Sequence, residues 1–364
     1  MTKLVNELKV IQIIDSLNPG GAEMMAVNIA NGLNKIGVNS HLCVTRKEGD
    51  LKNSIVKGVG YLFLNKKRSL DLKAILKLNS YAKSHQINTI HAHSSSFFIA
   101  VQLKLINPFL NVVWHDHYGS SESLTNRKSV ALKVCSYFFN STIAVNKLLF
   151  DWSLKKLNTK NRFYLPNFAT LNNRIKIETV LKGTNGKRII CLANLRPQKD
   201  HLNLLKAIKL IENDLNNWTL HLVGLDLYDE YSDKIKSFIK EEGLENAVFL
   251  YGSRLDIYHI LEQTTIGVLS SKSEGLPVSL LEYGLASLPV VVTNVGDCSQ
   301  VIEHMKSGMM VHSKNEKELA DGLMYLIENE LNRSTFGKIF FNKIKTEFSE
   351  ESFLKKLIKI YQFD

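Results

Sequence analysis

Two glutamates with seven residues between them mark the segment of the chain that is richest in chemistry. Glu274 and Glu282 lie in the segment SKSEGLPVSLLE (271–282). Pro277 is expected at the first position of a helix, whose free N–H groups would suit an anion. Side chains on a helix lean toward its N-terminus, so Glu282 can reach back toward a bound ligand. A carboxylate that accepts two hydroxyl hydrogen bonds is typical of ribose recognition.

The segment CLANLRPQKDH (191–201) supplies positive charge after another predicted strand. Arg196 offers a planar fork for two phosphate oxygens, and Lys199 offers a compact charge. A loop holding both at the carboxyl end of a strand indicates a phosphorylated ligand, although two solvated surface cations would have the same spacing.

A pair of glycines follows the first predicted strand and directly precedes a helix. Gly20 and Gly21 would let backbone N–H groups approach an anion at the helix N-terminus. This arrangement suits a diphosphate, and a tight strand–helix turn is the alternative. The pair matches neither the dinucleotide fingerprint nor the phosphate-loop motif.

Four histidines gather at the ends of two predicted strands, His91 and His93 on one, His115 and His117 on the other. Imidazoles can bind zinc or iron, but we expect the two members of each pair to diverge along an extended strand, which disfavours chelation. Hydrogen bonding to a sugar or phosphate is favoured instead, because a neutral imidazole both donates and accepts. No metal is expected.

Short β-branched and aromatic runs alternate with helical periodicity through the whole chain, which predicts parallel sheets with helices on both faces. The predicted strands are 9–14, 41–44, 61–64, 89–91, 112–115, 142–145, 163–165, 188–193, 219–223, 247–251, 265–269, 289–293 and 308–311. The aperiodic stretch 167–187 is interpreted as a linker. We therefore predict two Rossmann-like α/β domains facing across a cleft, with boundaries at 1–170 and 171–349.

Composition and charge restrict the function classes. The four cysteines lie far apart in the sequence, and the first fifteen residues are too polar for a signal peptide, so a reduced, cytoplasmic protein is expected. Residues 1–170 hold 22 Lys and Arg against 9 Asp and Glu, whereas residues 171–364 hold 24 against 26. The basic first half predicts an anionic partner, such as a membrane surface. A nucleic-acid partner is not expected, because no binding motif is present.

Taken together, these segments resemble the family 4 glycosyltransferases, retaining enzymes of the GT-B fold. The paired glutamates match the family signature, and the resemblance runs from Gly21 to about Glu303. The flanking segments that match in order and spacing are HLVG (221–224), VFLYG (248–252) and VVVTNVG (290–296).

The resemblance implies roles for individual residues. Gly21 is similar to the glycine at the donor diphosphate, His115 to the histidine beside the transferred sugar, and Lys199 to the diphosphate lysine. Glu274 resembles the contact to sugar hydroxyls, and Glu282 the contact to ribose. The other residues expected to contact substrate are Gly20, His117, Asn194, Arg196, Leu276, Val278 and Ser279, together with Ser253, Arg254 and Leu255 at the base. The last helix, 350–361, is expected to cross back to the first domain.

Three positions depart from the family pattern. Asn194 stands where many members have arginine, so Arg196 is expected to supply that charge. Phe168 stands where a glycine is usual. The single expected histidine is embedded in His115-Asp116-His117, so either ring could face the sugar.

The expected function is transfer of a hexose or N-acetylhexosamine from a nucleotide diphosphate sugar, with UDP favoured, to a glycan or lipid-linked acceptor. No separate cofactor is expected. Two alternatives remain at this point: a nucleotide-sugar epimerase on the same fold, and a catalytically silent nucleotide-sugar-binding module.

Overall fold

A computed structural model describes residues 7–119, 124, 125, 127–171 and 176–363. The chain divides into two compact units, which are Met1–Phe168 with Glu350–Asp364, and Ala169–Ser349. Each unit has its own parallel sheet covered by helices, so the predicted α/β class with two Rossmann-like domains is confirmed. Within the described residues, no helix is both long enough and apolar enough to cross a membrane.

The first unit contains a seven-stranded parallel sheet in the order β3-β2-β1-β4-β5-β6-β7. The order reverses between β1 and β4, so the loops that follow these two strands leave the sheet on opposite sides. The strands are β1 (Lys9–Ser16), β2 (Asn39–Lys47), β3 (Gly60–Phe63), β4 (Thr89–His93), β5 (Asn111–Asp116), β6 (Ser141–Ala144) and β7 (Asn161–Tyr164). Most of their residues are buried, as is typical of a sheet covered on both faces.

Helices connect these strands and have clear sequence signals. The side chains of Asp71 and Asn146 accept hydrogen bonds from the first turns of two of them. The helices are α1 (Gly21–Lys35), α2 (Leu72–Ser84), α3 (Phe97–Ile106), α4 (Val130–Cys135) and α5 (Lys147–Lys156).

The last helix, α13 (Glu350–Tyr361), belongs to the first unit, although the second unit precedes it in the chain. Phe168 is fully buried and its ring lies 4.6 Å from the ring of Phe353 on α13. Phe168, which stands where a glycine is usual in the family, therefore packs its side chain against this helix.

The second unit contains a six-stranded parallel sheet in the order β10-β9-β8-β11-β12-β13. The strands are β8 (Arg188–Leu192), β9 (Thr219–Val223), β10 (Val248–Gly252), β11 (Ile266–Leu269), β12 (Val290–Thr293) and β13 (Met309–Val311). The helices are α6 (His201–Leu210), α7 (Glu230–Glu241), α8 (Ile257–Glu262), α9 (Val278–Leu285), α10 (Cys298–Val301), α11 (Glu316–Glu328) and α12 (Glu330–Glu347).

The strand order of the second sheet reverses between β8 and β11, and a buried tyrosine lies at the reversal. Leu192 N donates a hydrogen bond of 2.6 Å to the hydroxyl of Tyr283, which lies 3.2 Å from the carbonyl oxygen of Ile190. A Cβ added at Gly267 would lie 2.7 Å from the Tyr283 ring, so only glycine leaves space for it. The tyrosine hydroxyl thus replaces strand-to-strand hydrogen bonds where the two strands separate.

Two local predictions are wrong in detail. Pro277 precedes the helix rather than occupying its first position, because its ψ of 126° is extended. Residues 176–187 form no helix or strand, but they are not a free linker. Thr179 is buried and its backbone N–H donates to Asp256 over 2.7 Å. The predicted linker residues 172–175 lie outside the described part of the chain.

Replacing Tyr283 by phenylalanine is expected to destabilise the chain. The buried N–H of Leu192 would lose its acceptor, which costs about 1–3 kcal/mol. Urea denaturation measures the effect, with Tyr228→Phe as the control because the Tyr228 side chain is exposed. Equal stability of the two variants would contradict the role given to the hydroxyl.

Candidate functional site

Two loops of the second unit are joined at the reversal of its strand order. One loop follows β8 and the other follows β11. The backbone N–H of Lys272 donates to the carbonyl of Gln198 over 2.8 Å, and the hydroxyl of Ser270 donates to the carbonyl of Lys199 over 2.9 Å. Lys272 also forms an ion pair of 2.8 Å with buried Asp200. Ligands of open parallel sheets bind at the carboxyl ends of the strands beside such a reversal.

Lys199 and Glu274, predicted from separate motifs, meet in this position. Lys199 Nζ lies 2.5 Å from Glu274 Oε1, which also accepts a hydrogen bond of 2.6 Å from the Ser271 hydroxyl. The side chain of Glu274 is 8% exposed and that of Lys199 is 21% exposed. Lys199 is therefore the more accessible partner, and an incoming anion can contact its ammonium group while the Glu274 carboxylate stays buried.

A glycine turn holds the backbone behind Glu274. Gly296 has a φ of 55°, and a Cβ there would lie 2.3 Å from the carbonyl oxygen of Glu274. The next residue, Asp297, donates its backbone N–H to the carbonyl of Gly275 over 2.9 Å. The loop that carries Glu274 is thereby fixed by the loop that follows β12.

Glu282 is buried on α9, about one turn from the helix start at Val278. Burial raises the pKa of its carboxyl to about 7, because the charged form is poorly solvated there. Val278 and Ser279, at the start of α9, are half-buried. The side chain of Leu276 is part of the hydrophobic core, so only its backbone is available to a ligand.

The other predicted residues of the second unit follow neighbouring strands. Asn194 Oδ1 accepts the backbone N–H of Leu225 over 2.9 Å and so joins the loops after β8 and β9. Arg196 is exposed in the same loop as Lys199. The three residues expected at the base, Ser253, Arg254 and Leu255, follow β10, with Arg254 exposed and the other two half-buried.

In the first unit, Gly20 and Gly21 lie where predicted, at the start of α1. Gly20 caps the helix with extended backbone, and α1 begins at Gly21. A Cβ at Gly20 would lie 2.4 Å from the Glu23 carboxylate, so Gly20 leaves room for that side chain. A Cβ at Gly21 would meet no atom within 4 Å, so its backbone can be approached closely.

The four histidines form one cluster at the carboxyl ends of β4 and β5. His91 Nε2 lies 3.1 Å from His115 Nδ1, and His93 Nδ1 lies 3.0 Å from His117 Nε2. The rings of His115 and His117 are 4.0 Å apart. Burial lowers the pKa of all four imidazoles, that of His117 to about 3. The cluster is therefore neutral near pH 7.

The expectation that each His-x-His pair diverges is wrong. Residues two apart on a strand share a face, and the rings of His91 and His93 stack at 4.4 Å. Ring nitrogens of His91, His93 and His115 lie within 4.8 Å of one another, a spacing compatible with a metal. However, both nitrogens of His91 and both of His93 already have hydrogen-bond partners.

The residue between His115 and His117 has a structural partner that its sequence position did not reveal. Asp116 forms a bidentate ion pair with Arg127, with distances of 2.6 and 2.9 Å. The guanidinium lies 4.3 Å from the centre of the Trp152 ring and 4.5 Å from that of Tyr118. This buried pair anchors the segment after β5, so Asp116 is not available as a ligand.

Two protein-family models match this chain. Residues 172–340 match the family model "Glycosyl transferases group 1", and residues 19–158 match "Glycosyltransferase Family 4". Between them, the two models match most of the chain.

Individual relatives are distant. The chain is 24% identical to a poly(ribitol-phosphate) α-N-acetylglucosaminyltransferase of Staphylococcus aureus, over 92% of this chain but only 63% of that protein. It is 23% identical to a UDP-Gal:α-D-GlcNAc-diphosphoundecaprenol α-1,3-galactosyltransferase of Escherichia coli, over 80% of this chain and 79% of the relative. The crystal structure of Anabaena HepE with UDP and glucose has a TM-score of 0.80 at 18% identity, over 98% of this chain and all of that one.

Glu282 gives the stability a specific pH dependence. Its pKa is about 7 in the folded chain against an ordinary value of 4.5. The free energy of unfolding is expected to be highest below pH 4.5, where the Glu282 carboxyl is protonated in both the folded and the unfolded chain. It falls as the pH rises through 7, by at most about 3 kcal/mol. The Glu282→Gln variant is therefore expected to match wild type at pH 5 and to be more stable at pH 8.

Urea denaturation at both pH values measures this difference, with Glu241→Gln as the control because Glu241 is exposed. A constant stability difference between wild type and Glu282→Gln at the two pH values would contradict the raised pKa.

Proposed function

Because this chain belongs to the glycosyltransferases of group 1 and family 4, we propose that it transfers a hexose or N-acetylhexosamine from a nucleoside diphosphate sugar, with UDP favoured. The acceptor is a glycan or a lipid-linked saccharide, and the anomeric configuration is retained. Relatives named for transfer to poly(ribitol-phosphate) and to a diphosphoundecaprenol-linked sugar support this class of acceptor.

The observation that carries the proposal is the pairing of Lys199 with Glu274 at the strand-order reversal. Lys199, with Arg196 in the same loop, stabilises the negative charge that develops on the departing diphosphate. The backbone N–H groups of Val278 and Ser279, at the start of α9, add to this stabilisation. These cations and dipoles supply the charge that a metal ion would otherwise provide.

The carboxylates and the remaining polar residues orient the donor. Glu274 accepts hydrogen bonds from sugar hydroxyls, and Glu282 accepts them from ribose. Backbone groups at Gly20 and Gly21 contact the diphosphate, and those of Ser253 to Leu255 contact the base. Either His115 or His117 contacts the transferred sugar as a neutral imidazole.

The family match decides against the epimerase alternative, because both matching models describe glycosyltransferases. The catalytically silent binding module is the remaining alternative, and Asn194, in place of arginine, is the observation that favours it. Nucleotide-sugar binding without transfer across a broad panel of acceptors would establish that alternative.

Replacing Lys199 by alanine tests the proposal. The rate of transfer, kcat, is expected to fall about 10²-fold or more, because charge stabilisation present in the transition state is removed. Steady-state kinetics with nucleotide-sugar donors measure this change.

The matched control is Lys272→Ala, which removes the partner of buried Asp200 from the same pair of loops. Comparable losses in the two variants would indicate that the loops were disordered and that Lys199 has no specific role. An unchanged kcat in Lys199→Ala would reject the role directly.

We also propose that the basic first unit contacts an anionic bilayer, where a lipid-linked acceptor would reside. Helix α2 exposes Leu72 and Leu76 beside Lys73 and Lys77. Its neighbour α3 is followed by Phe109, which is 96% exposed. Exposed apolar residues next to lysines are typical of surfaces that enter the headgroup region of anionic lipid.

Replacing Lys73 and Lys77 by glutamine is expected to weaken binding to vesicles that contain anionic lipid about 30-fold. Each lysine near such a surface contributes about 1 kcal/mol. Vesicle sedimentation measures the change, with Lys234→Gln and Lys240→Gln on α7 of the second unit as the control pair. Binding by wild type that persists unchanged in high salt would refute the electrostatic contact.

A further inference from the structure

A buried chain of hydrogen bonds extends beyond the histidine cluster and connects it to the end of the last helix. The hydroxyl of Tyr361 on α13 lies 2.7 Å from His91 Nδ1. Gln12 on β1 donates from Nε2 to the same hydroxyl over 3.2 Å, and its Oε1 lies 2.9 Å from His93 Nε2. The order of groups is His115–His91–Tyr361–Gln12–His93–His117.

With Gln12 Nε2 facing Tyr361 and Gln12 Oε1 facing His93, the number of donors in each group sets the proton positions along this series of hydrogen bonds. A tyrosine hydroxyl has one proton, and Tyr361 already accepts from Gln12, so it donates to His91 Nδ1. The proton of neutral His91 is therefore on Nε2, from which it is donated to His115 Nδ1. This leaves the proton of His115 on Nε2.

The other branch is determined in the same way. Gln12 Oε1 can only accept, so His93 carries its proton on Nε2 and accepts at Nδ1 from His117 Nε2. All four imidazoles thus share one tautomer. Rotating the Gln12 amide by half a turn would reverse every donor and acceptor and move all four protons to Nδ1.

The His115 end of this series of hydrogen bonds is open. His115 Nε2 is buried and has no hydrogen-bond partner among the residues that the structure describes, whereas every nitrogen of His91 and His93 has one. A buried N–H without an acceptor is costly, so its presence indicates a ligand atom that accepts from it.

We propose that Gln12 and Tyr361 are positioning residues that hold His115 with its proton on Nε2, so that His115 donates a hydrogen bond to an oxygen of the substrate. The contact of His115 with substrate rests on the proposed function, whereas the tautomer itself does not. The end of the last helix is accordingly part of the sugar-recognition machinery of the first unit.

Long-range ¹H–¹⁵N NMR of the full chain with ¹⁵N-labelled histidine tests the tautomer directly. Signals are assigned with His→Gln variants at the four positions. In wild type, His91, His93, His115 and His117 are expected to carry the proton on Nε2. A proton on Nδ1 of His91 or His115 in wild type would overturn the proposal.

Replacing Tyr361 by phenylalanine removes the donor to His91 Nδ1, so His91 and His115 are expected to populate both tautomers. The value of kcat/KM should fall about tenfold, the size expected for one hydrogen bond. The control is Tyr81→Phe, which removes a hydroxyl 2.8 Å from His41 in the same unit and should change neither quantity.

The Gln12→Met variant tests the same series of hydrogen bonds at Gln12, and it replaces the first test if Tyr361→Phe fails to fold. It removes the acceptor of His93 and the donor to Tyr361, and it should likewise mix the tautomers. Unchanged tautomers in a folded variant would overturn the proposal. Mixed tautomers with full transfer activity would overturn the positioning role and count against His115 as a sugar contact, without bearing on Lys199.

Discussion

The reversal of strand order between β8 and β11 is the constraint on which the candidate site depends. Strands that part at their carboxyl ends leave backbone groups without ladder partners, and the Tyr283 hydroxyl satisfies the N–H of Leu192 there. Gly267 is required because any side chain would collide with the Tyr283 ring. The loops that follow these two strands are joined there, so Lys199 and Glu274, which lie 75 positions apart in the sequence, form one ion pair.

Charge in the second unit is arranged before any ligand arrives. A buried carboxylate without a partner would be strongly destabilising, so Lys199 neutralises Glu274 in the free protein. Lys199 is the more exposed member of the pair and can contact an incoming anion while it stays paired with Glu274, and the exposed Arg196 adds positive charge in the same loop. Because the loop backbone is held by Gly296 and by hydrogen bonds between the loops, these charged groups are already positioned before an anion binds.

The sequence predicted the sheets well because Rossmann-like strands have local signals. Val290 to Thr293, for example, is a short β-branched run buried on both faces. Contacts between distant residues had no such signal. Tyr361 lies 270 positions from His91, and Tyr283 lies 91 positions from Leu192, so no spacing pattern could reveal either pair. The sequence indicates the histidines as candidates, and their stacking follows from strand geometry, because residues two apart on a strand share one face.

The two units carry different kinds of polar group, a lysine paired with a glutamate in the second unit and neutral imidazoles in the first. Cations suit a diphosphate, since the charge on the leaving group grows as the bond to the sugar breaks. Neutral imidazoles suit hydroxyls, whose recognition depends on the direction of each hydrogen bond rather than on charge. Protonating a ring of the histidine cluster would place a cation in a buried site beside three other imidazoles, which explains why their pKa values are lowered. The neutral cluster is therefore suited to hydroxyl groups, whereas the cations around Lys199 are suited to an anion.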